Sequence, residues 1–197
     1  MAVSAKLSNK EMRRRERHRR QLISRLFWGV MGALVVMALG YVGWQGLKPR
    51  PGVGVPVMGA QHIQDGEQHE PYNSDPPTSG PHYIQPAQAG FYDEALPDEQ
   101  LVHNLEHGYV VISYNCTGLE GLACETFKEQ IRGVMDQAGT VGLSSSAKLI
   151  AVPRLSPPGP LAATTWGRLY QPEFFDPAEL LVFIKAFRNK APEPNAP

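Results

Sequence analysis

One uncharged run dominates the pattern of hydrophobic and polar positions, the 22 residues from Leu26 to Leu47. As a helix it spans about 33 Å, enough to cross a hydrocarbon core of roughly 30 Å, so residues 26–47 are predicted to form a transmembrane helix. Trp28, Tyr41 and Trp44 fall near its ends, where amphipathic rings are favoured. A cleaved signal peptide is the competing reading, but the run exceeds an ordinary signal core and no clear Ala-x-Ala site follows it, which favours a retained anchor.

Past the anchor, shorter periods take over. Residues 48–61 mix prolines and glycines without a helical period and read as a tether. Tyr72 to Tyr83 holds three prolines and one glycine, which excludes a helix interior or a central strand and predicts a stiff loop. A short helix is expected before Gly108: Pro97 suits its first turn, Asp98 and Glu99 complement the N-terminal dipole, and Gly108 suits the position past its end. Tyr109 to Tyr114 is a nearly continuous β-branched and aromatic run, read as a central strand buried on both faces. Phe127, Ile131, Val134, Met135 and Ala138 recur at helical spacing and predict an amphipathic helix over 123–138 that covers a sheet.

A second strand is expected from Ala147 to Val152, stopped by Pro153 and the Pro157-Pro158-Gly159-Pro160 turn. A weaker third runs over 162–170, interrupted by Gly167. In the last helix Asp176 caps, Pro177 takes the first position, Glu179 completes a box-like start, and Leu180, Phe183, Ile184 and Phe187 form one stripe. Residues 191–197, with Pro192 and Pro194, read as a loose, disordered tail. The order predicts an α+β fold for residues 62–190, a small mixed sheet with helices packed on it. A thioredoxin-like core has strands and helices in this order, as do other α/β sandwiches, and the order alone does not choose between them.

Charge refines this division. The formal net charge is zero, yet residues 1–25 hold nine basic side chains against Glu11 and Glu16. Residues 51–197 hold eight basic and seventeen acidic ones. A basic cluster directly before a spanning helix sets orientation and touches anionic headgroups, so residues 1–25 are expected in the cytoplasm and the acidic domain outside it. The lipid bilayer, met through residues 26–47, is the partner this predicts. The same argument disfavours reading the arginines as a nucleic-acid arm. Cys116 and Cys124 then lie on the oxidising side, where a disulfide is expected; a redox pair is the weaker alternative, because the spacing is not Cys-x-x-Cys.

The candidate chemistry lies in histidines. Five of the six, His62, His69, His82, His103 and His107, fall between residues 62 and 107. His62 and His69 sit among Asp65, Glu67 and Glu70 and read as solvated loop histidines, although either has the chemistry of a ligand. On a helix His103 and His107 stack about 6 Å apart, whereas on a strand they would be roughly 13 Å apart. With His82 on its stiff loop they form the expected metal-ligand set, His82, His103 and His107. Glu106 or Asp75 would complete the shell or orient a ring from behind.

The motifs PPTSGPH (residues 76–82) and HNLEHG (residues 103–108), followed by an aliphatic strand and placed behind one membrane anchor, resemble the bacterial family catalogued as domain of unknown function 3105. The resemblance covers roughly residues 60 to 190 and implies a family, not an activity.

Three functions follow from the residues. The first is binding of a transition metal, zinc or copper(II), which the imidazole-rich set suits better than copper(I). The second is a structural or interaction module that docks on another envelope protein, its histidines bonded to backbone groups. A metal-dependent hydrolase, with Glu106 as general base, is the third. No residue is assigned a catalytic role.

Overall fold

The computed structural model describes residues 9–47, 50–119, 121–142, 146–156 and 159–196. The first residues of the basic tail, Lys48 and Pro49 of the expected tether, Pro157-Pro158 of the expected turn and Pro197 lie outside the described residues. The chain divides into two units, Met1–Pro49 and Arg50–Pro197.

The described residues of the first unit form one helix, α1 (Asn9–Leu47). Within it, Arg19–Trp44 has a mean hydropathy of 2.0, long and apolar enough to cross a membrane. Leu26, Trp28, Val36 and Leu39 on this stretch are all exposed. A signal sequence passes the same test of length and composition.

The second unit is a mixed α+β domain. In chain order it contains β1 (Val53–Gly54), β2 (His62–Ile63), β3 (His82–Tyr83), β4 (Gly90–Phe91), α2 (Asp98–Glu106) and β5 (Val110–Tyr114). Then follow α3 (Leu122–Ala138), β6 (Leu149–Pro153), β7 (Leu161–Thr165), β8 (Arg168–Tyr170) and α4 (Pro177–Phe187). Six strands form one sheet in the order β1-β8-β7-β5-β6-β4, while β2 and β3 form a separate pair. Strands β4, β6 and β5 are parallel, and β7, β8 and β1 complete the sheet antiparallel.

Period-two alternation on β5 explains the layering. Val110, Ile112 and Tyr114 join Phe127, Ile131 and Val134 of α3 and Leu180, Phe183 and Ile184 of α4 in one core. Val111 joins Tyr109, Ile150, Val152 and the α2 residues Leu101 and Leu105 in another. Successive side chains on a strand face opposite ways, so a strand buried at every position has cover on both sides. That places α2 on the face opposite α3 and α4. The disulfide Cys116–Cys124 closes the loop between β5 and α3; a loop of this length is worth about 2–3 kcal/mol.

Four local expectations change. Residues 162–170 are a hairpin, β7 and β8, because Gly167 turns the chain with φ +68°. Part of the tether is sheet edge, since β1 pairs with Leu169 and Arg168 of β8. Asp176 does cap α4 through Ala178 N at 2.8 Å, but Glu179 accepts a hydrogen bond from the Tyr170 hydroxyl (3.0 Å). The tail after α4 is tied down: the main-chain N–H groups of Asn189 and Glu193 donate to Gly108 O (2.7 Å) and Glu106 O (3.0 Å). Prolines prevent a helix from continuing but leave carbonyls and the intervening N–H groups available for such pairing.

Gly108 is where that tail meets α2. Its φ is +85°, and a Cβ there would lie 2.8 Å from Asn189 Cα, which is backbone. Gly108→Ala is therefore expected to cost about 1–3 kcal/mol, read as a lower urea midpoint of the tryptophan-fluorescence transition with an unchanged m value.

Candidate metal centre

The pair β2–β3 begins the site. Its parallel register sets His62 opposite His82 and Ile63 opposite Tyr83. His82 is fully buried, and α2 packs over β3 so that His103 meets both strand histidines. Ring centroids are 4.7 Å apart for His62 and His82, and 5.1 Å from His103 to each of them. One ring nitrogen from each of His62, His82 and His103 lies within 4.8 Å of the other two, close enough that the three could hold a metal ion. His107, one helical turn beyond His103, adds its own ring at a centroid distance of 4.5 Å.

Partners on the outer nitrogens decide which inner nitrogens remain. His82 Nδ1 lies 2.8 Å from Gly80 O, and His103 Nδ1 lies 2.5 Å from Tyr83 O. Carbonyl oxygens only accept, so both Nδ1 atoms carry the proton and a neutral ring keeps its lone pair on Nε2. His82 Nε2 faces Glu106 Oε2 at 3.0 Å, and His103 Nε2 faces His107 Nε2 at 3.0 Å. A lone pair opposite a carboxylate needs a proton or a cation between them. In the second pair His107 Nε2 carries the hydrogen and donates to His103 Nε2. The ring orientations of His82 and His103 are set by main-chain carbonyls, as metal-ligating histidines commonly require.

The proline loop holds these carbonyls in place. Tyr72 donates its hydroxyl to Pro81 O at 2.6 Å, and Ser79 Oγ accepts from Met58 N at 2.9 Å. Gly80 has φ +133°, and a Cβ there would meet the Tyr72 ring at 2.8 Å, so glycine permits both the backbone angle and the contact. The Asp75–Pro76 peptide is cis. On the other side Asn104 holds residue 87 with both ends of its amide: Nδ2 donates to Ala87 O and Oδ1 accepts from Ala87 N, each at 2.8 Å. Leu105 points into the core and Glu106 to His82.

The sequence reading placed His82, His103 and His107 together, and the fold brings those three into one continuous row with His62. Among the described residues, the set whose candidate ligand atoms all lie within 4.8 Å of one another is His62, His82 and His103. His62 is exposed, as expected, but it lies on β2 in register with His82 and not in a loop; only a two-residue pairing put it there, too short to leave a periodic signal. Glu106 contacts His82 on the Nε2 side, facing the cluster rather than behind it. Asp75 is elsewhere. It accepts from Arg154 Nη2 (2.6 Å) and Ser156 Oγ (3.0 Å), and Arg154 also binds Asp98, a fork that ties the proline loop to the start of α2. His69 faces Glu99 at 3.2 Å, apart from the trio. Missed altogether was Glu193, whose Oε2 lies 3.8 Å from His107 Nε2.

Burial holds His103 below its ordinary pKa, opposed by the hydrogen bond to Tyr83 O and reinforced by His107, His82 and His62. The unfolded chain takes up a proton there near 6.5 and the folded chain only at lower pH, so protons favour unfolding below 6.5. Thermal denaturation of the metal-free protein is expected to show a melting temperature that declines as pH falls from about 6.5, and a shallower decline for His103→Gln.

No curated protein and no solved structure matches the chain. The family model described as Protein of unknown function (DUF3105) matches residues 62–197, a span that starts at His62 and contains every residue of the cluster. The chain belongs to that family.

Proposed function

We propose that this protein is a membrane-anchored binder of a divalent transition metal, zinc or copper(II), held by Nε2 of His82 and His103 together with His62. The observation that carries the reading is the convergence of three imidazoles from β2, β3 and α2 within 4.8 Å. Two donors on one ion, each about 2.1 Å away, lie at most about 4.2 Å apart and about 3.4 Å apart in a tetrahedral site, so loading draws a pair 4.8 Å apart together by about 0.6–1.4 Å. His62 is the exposed member and the one free to move. Nitrogen and carboxylate donors suit zinc and copper(II); copper(I) would favour thiolates, and both cysteines are in the disulfide. His107 and Glu106 provide further donors or hold the first three in place.

The anchor is α1, with its basic N-terminal end in the cytoplasm and the acidic domain outside. That orientation agrees with a disulfide in the domain.

Purified in detergent without a polyhistidine tag and supplied with zinc or copper(II), the full chain is expected to retain one ion per molecule by elemental analysis. His62→Ala should weaken binding at least tenfold while leaving the fold intact, since its side chain is exposed. A parent protein with negligible metal after both additions overturns the reading. For the anchor, the chain should stay with membranes after alkaline carbonate washing, and protease added outside intact cells should remove the domain; cleavage only after lysis reverses the orientation.

A further inference from the structure

The segment after α4 passes beside the site, and several contacts hold it there. Arg188 fixes the end of α4 by donating to the carbonyls of Ala138, Gly139 and Ala147. Asn189, with φ +61°, turns the chain toward Gly108. Glu193 N then donates to Glu106 O at 3.0 Å. Lys148, itself buried, donates from Nζ to Pro194 O (2.9 Å), Ala196 O (2.8 Å) and His107 O (2.9 Å). One ammonium group thus joins the tail to the last turn of α2, where the histidines lie. Glu193 stands between Pro192 and Pro194, and a residue before proline is confined to extended backbone, so its direction is set before any ligand arrives.

We infer that Glu193 is the outer, exchangeable carboxylate ligand of this metal centre. The inference rests on the metal-binding reading above and adds a residue to it. Glu193 Oε2 is 3.8 Å from His107 Nε2, inside the limit of about 4.2 Å for two donors sharing one ion. Charge favours the same assignment. Neutral imidazoles leave a divalent ion with two positive charges; Glu106 offsets one and Glu193 the other. The two carboxylates differ in access: the Glu106 side chain is 6% exposed and that of Glu193 58%. Glu106 is therefore the permanent donor, and Glu193 is the one that an incoming anionic ligand displaces. Because the tail is tied by main-chain groups and Lys148, the carboxylate can leave and return while the strap stays in place.

Cobalt(II) bound to the full chain in detergent reports the donor set through its visible absorption, and chelator competition gives its affinity. Glu193→Gln keeps shape and main-chain bonds. It is expected to bind cobalt(II) about tenfold more weakly, to release it faster and to shift the absorption band, whereas Glu193→Asp keeps the parent's band. An unchanged affinity and band in Glu193→Gln overturns the inference and leaves the metal-binding reading standing. So does a Glu193→Asp protein that shares the altered band of Glu193→Gln. A parent that takes up neither cobalt(II) nor zinc removes both.

Discussion

Two main-chain carbonyls set the chemistry of the domain. Gly80 O and Tyr83 O accept hydrogen bonds from Nδ1 of His82 and His103, and that aims both Nε2 atoms inward. With the carbonyls displaced, the rings would be free to exchange tautomers and turn their Nε2 atoms to solvent. The rest of the unit can be understood as what keeps two carbonyls and two rings in register. The proline loop presents Gly80, β3 presents Tyr83, and α2 brings His103 to meet it.

This arrangement gives each residue of the 103–108 segment a separate task. His103 turns Nε2 into the cluster, Asn104 pins Ala87, Leu105 fills the core, Glu106 meets His82, His107 extends the row and Gly108 allows the tail to cross. Four consecutive residues at the end of a short helix, with its cap His107 and the glycine beyond, thus serve core, scaffold and site at once. The buried face of α2 is anchored on β5 and β6, so the polar residues above it inherit a rigid base.

Much of the fold was legible in the chain. The apolar run of α1, the both-sided burial of β5, the stripe of α3 and the cap of α4 each follow from a local period or a capping residue, and local signals survive into the folded state when packing agrees with them. Most of what was not legible came from pairings without a period. β1, β2, β3 and β4 are two residues long and made by partners far away in the chain. The hairpin of β7 and β8 was blurred into one strand because its turn is only Trp166-Gly167. Arg154 took Asp75 from the cluster because a guanidinium fork between two carboxylates, Asp75 and Asp98, binds more strongly than a remote histidine could.

By itself, then, the chain determined that a spanning-length helix precedes an α+β domain, and that His82, His103 and His107 are presented by a stiff loop and a single helical turn. Those are consequences of composition and spacing over a few residues. Only the tertiary structure decided that His62 joins them, that Asp75 does not, and that Glu193 returns from the far end to the same place. Each of these depends on which backbone groups pair across tens of residues, and a pairing of that kind is stabilised by the assembled sheet and not by any property of the segment that takes part in it.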